Sequence, residues 1–196
     1  MTEQSTASTA PNDRYEDFCA PPGASTAATW VGVVVIGVMF AAGLLAYALI
    51  RSRTGVTIHV PVVFWFSTGL LFIGSLFLYA ALIWATDGRA RSLYALRTSG
   101  LIGGAFVLLQ IPGLTALLHA HREAGYGSLY GMLLMIVALH AAHVIGGLIA
   151  IAAVTRRFAT ARESSDVIAP MRSLSVYWHG MAAIWLMMFS VCLLAG

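Results

Sequence analysis

Three histidines are the side chains in the apolar part of this sequence that could perform chemistry. His140 and His143 lie in "LHAAHVIGG", and His179 lies in "VYWHGMAAIW". Imidazole nitrogens bind zinc, iron and haem, and they also make hydrogen bonds. In a helix, residues three apart project about 60° from each other, so His140 and His143 are expected to point to the same side of a bundle. The pattern leaves two roles open: ligation of a metal or haem, or polar contacts between helices.

The number of available ligands favours polar contacts between helices. A haem held by two histidines normally needs them on two helices, and His179 is the one candidate partner outside the stretch that holds the pair. Zinc takes three or four protein ligands, and no acidic residue or cysteine lies at a matching depth in the sequence. Because intramembrane polar side chains commonly pair with each other, we expect no metal and no cofactor in this chain. A small b-type membrane cytochrome stays open as an alternative.

The stretches that carry these residues are long enough to cross a membrane. The sequence is 59% hydrophobic and 10% charged, with a mean hydropathy of +0.83, values outside the range of soluble domains. Five stretches without Asp, Glu, Lys or Arg run over residues 30–50, 60–85, 99–118, 127–154 and 174–194. Each can span a hydrocarbon core of about 30 Å as a helix, the form that pairs its backbone groups internally. We predict an all-α fold: a polytopic membrane protein with a bundle of five transmembrane helices over residues 29–196.

The arginines predict how the bundle is oriented. All eleven basic residues are arginine, and eight of them lie in the N-terminal tail or in the second and fourth loops. Basic residues concentrate in cytoplasmic loops, so the N-terminus is predicted in the cytoplasm and the C-terminus outside. Residues 1–28, rich in Ser, Thr, Ala and Pro, are predicted to form a disordered cytoplasmic tail. The net charge of +3 follows from this distribution and does not indicate nucleic-acid binding.

Small residues at helical spacing predict where helices approach closely. Gly100 and Gly104 are four residues apart in the third stretch. The fourth stretch carries four small residues at the same spacing, namely Ala138, Ala142, Gly146 and Ala150. Such spacing lets helix backbones come together where hydrophobicity gives no drive to associate. We therefore predict that these residues lie in contacts between helices.

Gln110 is a further polar residue in the third stretch, and its depth matches that of the histidine pair. With the predicted orientation, Gln110 and His143 each lie about eleven residues, or about 16 Å, from the cytoplasmic end of their helices. His179 is one to two turns shallower. We predict hydrogen bonds between helices that involve Gln110 and His143, with His179 as a third candidate, each contributing about 0.6 to 2 kcal/mol.

The order of these motifs resembles subunit III of haem-copper oxidases, the cytochrome c oxidase family, in its short five-helix form. The stretch "YGSLYGMLLMIVALHAAHVIGGLIA" is similar to the paired-histidine helix of that family. The stretch "SVYWHGMAAIWLMMF" is similar to its last helix, with Tyr177, Trp178, His179 and Trp185 at the expected positions. Gln110 matches the family's glutamine in the third stretch.

Three places depart from the family pattern. Many members carry an acidic residue in the first of these helices, where this chain has Ile36 or Gly37. A glutamate common after the third-span glutamine is replaced by Gly113. The last-helix motif usually continues Tyr-Trp-His-Phe-Val-Asp, whereas its final three places here hold Gly180, Met181 and Ala182. Without carboxylates in the spans, the chain is not expected to relay protons by their chemistry.

The resemblance implies a non-catalytic subunit III of a haem-copper terminal oxidase in the aerobic respiratory chain of a bacterial inner (plasma) membrane. Such a subunit stabilises catalytic subunit I, which carries the haem and copper, through helix packing and bound phospholipid, and subunit II belongs to the same complex. The partners expected are these subunits and membrane lipid, and no nucleic acid. The electron donor, cytochrome c or quinol, is not visible in this sequence. The alternatives are an accessory subunit of a nitric oxide reductase, the b-type cytochrome, and a small transporter, which the lack of an inverted repeat disfavours.

Overall fold

The computed structural model describes residues 24–54, 61–123, 125, 127–161 and 165–194, and all of its regular structure is helical. The helices are α1 (Ala24–Thr54), α2 (Val63–Asp87), α3 (Arg89–Glu123), α4 (Gly127–Thr160) and α5 (Ser165–Leu194). Each predicted apolar stretch corresponds to one helix, so the predicted five-helix, all-α fold is confirmed. Residues 24–28 of the predicted tail belong to α1, and residues 1–23, including Cys19, lie outside the described residues.

All five helices are long and apolar enough to cross a membrane. They contain between 25 and 35 residues, more than the roughly 20 that a hydrocarbon core requires. In α3 the additional length includes polar sequence, because the helix begins at Arg89, ten residues before its apolar stretch. α3 runs through Pro112 as one helix. The direction in which the bundle crosses the membrane stays a prediction from the arginines.

Four of the helices form a closed ring, and α1 packs against its outside. α2 packs on α3, α3 on α4, α4 on α5, and α5 back on α2. α1 packs on α4 and α5, and within the described residues it makes no comparable contact with α2. Consequently α5 touches three other helices, and a groove separates α1 from α2.

α2 and α3 form a tight hairpin in which serine hydroxyls bridge the two helices. Gly88 alone separates α2 from α3. The hydroxyl of Ser92 donates to the carbonyl oxygen of Ala81 at 2.7 Å, and that of Ser99 donates to the carbonyl oxygen of Gly74 at 2.9 Å. All four of these residues are buried. Hydroxyls of this kind bond helices together where no water competes for the carbonyls.

Arg89 fixes the beginning of α3 to the end of α4. Its guanidinium donates to the carbonyl oxygens of Phe158 at 2.6 Å and Ala159 at 2.9 Å, and it lies 5.6 Å from the centre of the Phe158 ring. The last carbonyls of a helix lack partners within the helix and carry partial negative charge. A cation at this position therefore satisfies them and closes one end of the bundle.

Candidate functional site

Trp185 lies at the centre of the bundle, with 4% of its surface exposed. Its ring meets Phe64 and Phe106 edge-on, at centroid distances of 5.6 and 5.5 Å, and stacks on His140 at 5.9 Å. Its indole nitrogen donates to the hydroxyl of Thr68 at 3.0 Å. Through these contacts one side chain of α5 joins α2, α3 and α4.

His140 is held by aromatic rings. It is 6% exposed, with Phe40 of α1 edge-on at 5.9 Å and Trp185 stacked on its other side. Neither ring nitrogen has a hydrogen-bond partner among the described residues. Ring packing is therefore the contact between helices that this histidine makes.

The imidazole of His143 bonds within its own helix. Its Nδ1 lies 2.7 Å from the carbonyl oxygen of Leu139, and its ring packs edge-on against Phe40 at 5.9 Å. The hydrogen bond between α4 and α5 at this residue uses the backbone of His143. The hydroxyl of Tyr177 on α5 donates to the carbonyl oxygen of His143 at 2.8 Å.

Gln110 lies beside His140 in the structure, and the expected hydrogen bond to His143 is not present. Its side chain is buried, and neither amide atom has a partner among the described residues. Gln110 and His140 line one cavity of about 110 Å³ between α3, α4 and α5. The difference has a geometric reason: equal depth does not fix the direction of a side chain around its helix, and the ring of His143 turns toward α1.

His179 is exposed and also bonds within its own helix, with Nδ1 2.7 Å from the carbonyl oxygen of Ser175. In the described part of the chain it makes no hydrogen bond with His143. It lies in the groove between α1 and α2, which has a volume of about 850 Å³ and a floor formed by α5. Trp30 of α1 and Tyr79 of α2 line the two sides.

The third helix approaches α4 and α5 closely at Gly103. A Cβ atom there would lie 2.8 Å from both Leu148 Cδ2 and Trp178 Cη2. At Gly100, one of the predicted positions, it would lie 3.2 Å from Ile151. At Gly104, the other, it would meet no atom within 4 Å. The sequence does not distinguish Gly103 from Gly104, because two adjacent glycines carry no sign of which one faces a neighbouring helix.

The small residues of α4 are mostly on the surface of this chain. Three of the four are exposed, namely Ala138, Ala142 and Gly146. Ala150 packs against the core. Here too the adjacent glycine makes the close contact, since a Cβ on Gly147 would lie 3.2 Å from Tyr177 and 3.3 Å from Trp178. The ring of Trp178 thus fills the space that Gly103 and Gly147 leave, and its indole nitrogen has no hydrogen-bond partner among the described residues.

Two of the positions that depart from the family pattern are sites of close helix contact. A Cβ on Gly113 would lie 2.6 Å from Phe64 and 2.7 Å from Val63, so α2 begins directly against α3. A Cβ on Gly180 would overlap the Val33 side chain of α1. The side chains usual in the family at these places, glutamate and phenylalanine, would not fit between the helices.

No group of three His, Cys, Asp or Glu side chains within the described ranges is arranged to hold a metal ion. The cavity beside His140 is also smaller than the 300–1,000 Å³ that drug-sized ligands commonly occupy. The groups that the structure brings together are aromatic rings, one amide and one imidazole. What they do in this arrangement is pack helices together.

The chain is similar in sequence to a subunit of a terminal oxidase. The chain is 23% identical over 173 residues to cytochrome bo(3) ubiquinol oxidase subunit 3 of Buchnera aphidicola, a match that covers 85% of this chain and 84% of that protein. No protein-family model matches the chain. The similarity supports a family like subunit III of haem-copper oxidases and an accessory role in a multi-subunit oxidase.

Proposed function

We propose that this chain is the non-catalytic subunit III of a haem-copper terminal oxidase in a bacterial inner membrane. The observation that carries the proposal is the similarity to an oxidase subunit 3 over 85% of this chain and 84% of that protein. The chain would pack against subunit I, which holds the haem and copper, and stabilise it. The relative is a ubiquinol oxidase subunit, so quinol is a candidate electron donor for the complex beside cytochrome c.

The contacts of the polar side chains are consistent with a supporting role. His140 packs against Phe40 and Trp185, and the described nitrogen contacts of His143 and His179 are with groups of their own helices. The outer surface of the bundle carries large apolar side chains, as a surface facing lipid or another membrane subunit requires. A bundle packed in this way would give a partner subunit a rigid apolar surface to pack against.

Co-purification with the catalytic subunit tests this function. A tagged form of the chain, produced in its native membrane, should bring down a haem-copper subunit I at fixed stoichiometry, and the visible haem absorbance should follow that subunit. The chain produced alone should show no haem absorbance. A haem spectrum from the chain alone would support the b-type cytochrome, and a partner that reduces nitric oxide in place of oxygen would support the reductase alternative.

The groove between α1 and α2 is the place where we propose that phospholipid binds. Its volume of about 850 Å³ lies in the range of ligand sites, and most of its lining is apolar. Aromatic side chains at its edges, Trp30 and Tyr79, are of the type that prefers the headgroup level. His179 adds a polar group in the half of the bundle nearer the beginning of α1.

Filling the groove should displace the lipid. Gly37 lines the groove, and a Cβ there would meet no atom within 4 Å, so Gly37→Phe projects a ring into the groove without a clash at its base. Native mass spectrometry of the purified chain should show less retained phospholipid for Gly37→Phe than for the natural chain. Gly32→Phe is the control, since Gly32 also lies in α1 with open space around it but does not line the groove. Equal retention in both variants would contradict a lipid in this groove.

A further inference from the structure

A second groove in the surface of the bundle lies between α3 and α4. It has a volume of about 500 Å³, and Leu101, Leu148 and Ile151 form much of its apolar wall. The two helices meet at its base, since a Cβ on Gly100 would lie 3.2 Å from the Ile151 side chain. Leu101 is 77% exposed. The groove therefore opens to the outside of the bundle, where the lipid of the bilayer lies.

Two arginines line one end of this groove. Arg97 lies near the beginning of α3, and Arg156 lies near the end of α4. These helix ends are on the same side of the bundle, because Arg89 at the beginning of α3 bonds to the end of α4. Leu148 lies eight residues before Arg156, about 12 Å further along α4. The groove thus combines a cationic end with an apolar part that extends into the membrane.

The part of the chain that the structure describes does not neutralise the two guanidinium groups. The side chains of Arg97 and Arg156 are exposed, and neither makes an ion pair or a side-chain hydrogen bond with a described residue. Asp87, the acidic side chain described at this end, belongs to α2 and does not line the groove. Arginine stems can lie along an apolar wall while their charged heads reach the headgroup level. The two heads are thus available to an anion at the membrane surface.

We propose that this groove binds an anionic phospholipid, with an acyl chain along the apolar wall and the phosphate held by Arg97 and Arg156. Guanidinium groups bind phosphate through charge-assisted hydrogen bonds. Basic pockets between transmembrane helices attract anionic headgroups on the cytoplasmic side, where the arginine distribution predicts that this end lies. The groove between α1 and α2 has no arginine among its described lining residues, so the two grooves should select different headgroups.

The size of the groove favours a lipid chain over a helix of a partner protein. A helix is about 10 Å across, so a 12 Å length of it occupies about 900 Å³. This volume exceeds the roughly 500 Å³ of the groove, which an acyl chain can enter because it is much narrower. The proposal requires that the chain spans a membrane and does not depend on which complex it joins.

Native mass spectrometry of the full chain with added synthetic lipids tests the site. Phosphatidylglycerol and phosphatidylcholine with identical acyl chains differ in net charge, and the natural chain should retain phosphatidylglycerol more strongly. Arg97→Gln and Arg156→Gln should each weaken phosphatidylglycerol binding about fivefold, as expected for one arginine near a membrane surface. Ala152→Phe fills the groove and keeps both charges, so it should also weaken this binding. Inorganic phosphate, which has no acyl chain, should not displace the lipid.

Arg157→Gln is the matched control, because Arg157 is exposed next to Arg156 and does not line the groove. This variant should bind phosphatidylglycerol as the natural chain does. A loss for Arg157→Gln equal to that for Arg156→Gln would show a general effect of surface charge and would overturn the proposal. Equal retention of the two lipids by the natural chain, or displacement by inorganic phosphate, would overturn it as well. The three arginines are exposed, so these variants remove no buried contact.

A photoreactive side chain distinguishes a lipid from a partner protein. Leu101 lines the groove and is exposed, so benzoylphenylalanine in its place contacts whatever occupies the groove in the native membrane. The expected result is a crosslink to phospholipid, identified by its mass. A crosslink to a polypeptide would assign the groove to a partner protein and overturn the proposal.

Discussion

Replacing Trp185 by alanine is expected to lower the free energy of unfolding by about 3 kcal/mol. This is the low end of the range for a buried tryptophan, because apolar surface that a membrane helix uncovers meets lipid or detergent chains instead of water. The loss comes from packing: the ring contacts Phe64, Phe106 and His140, and no other side chain occupies its place. Three helices, α2, α3 and α4, lose a common neighbour in this variant. Thermal unfolding in a mild detergent, followed by circular dichroism, measures the change.

A second substitution at Trp185 separates the contribution of ring packing from that of the hydrogen bond. Trp185→Phe keeps an aromatic ring and removes the donor to Thr68, so the expected loss is about 0.6 to 1.7 kcal/mol. The hydroxyl of Thr68 still donates to the carbonyl oxygen of Phe64 at 2.7 Å. Trp84→Ala, in α2 at a site that is 36% exposed, is the control for removing a tryptophan. A loss for Trp84→Ala as large as that for Trp185→Ala would contradict a central role for Trp185.

The second large effect is expected from Gly180→Phe, which installs the residue usual in the resembling family. A Cβ at this position already overlaps Val33, and valine is stiff at χ1, so it cannot move aside easily. The ring must push α1 away from α5, at a cost of about 3 kcal/mol as for strong overpacking. The midpoint of thermal unfolding should fall, and protease sites in α1 should become accessible in detergent before the rest of the bundle unfolds.

A compensating substitution distinguishes a steric effect from a general one. Gly180→Ala should destabilise less than Gly180→Phe, and adding Val33→Ala should recover a large part of the loss because it removes the overlapping atoms. Gly37→Ala is the matched glycine in α1, and a Cβ there has open space, so it should be neutral or slightly stabilising. If Val33→Ala recovers nothing, the contact between α1 and α5 at Gly180 is not what limits stability.

The five helices could be predicted because length and composition are strong signals in a membrane protein. Uncharged stretches of twenty or more residues leave no alternative to a helix, and each stretch corresponds to one helix. The ends could not be predicted from hydropathy, since α3 begins at Arg89 and α5 at Ser165, in polar sequence. The part of α3 that precedes its apolar stretch makes a contact that hydropathy does not show: Arg89 donates a hydrogen bond to the carbonyl oxygen of Phe158 near the end of α4.

The partners of the polar residues could not be predicted, because hydropathy gives the depth of a residue and not its direction around the helix. Depth pairs Gln110 with His143, whereas in the structure Gln110 lines a cavity with His140, which is about one helical turn from His143 in α4. The glycines show the same limit, since Gly103 makes a closer contact than the evenly spaced Gly104. Which side of a helix meets a neighbour depends on how all the helices are arranged, and a single stretch of sequence does not contain that arrangement.

The arrangement of the ring has a consequence for how this protein is made. Among the five helices, α5 follows the other four in the chain and touches three of them, whereas α1 precedes the others and, within the described residues, packs on α4 and α5. During synthesis α1 must therefore wait in the membrane, without its neighbours, until most of the chain has been translated. A chain cut short before α5 would leave α1 with α4 as its packing neighbour and would lack Trp185 at the centre of the bundle.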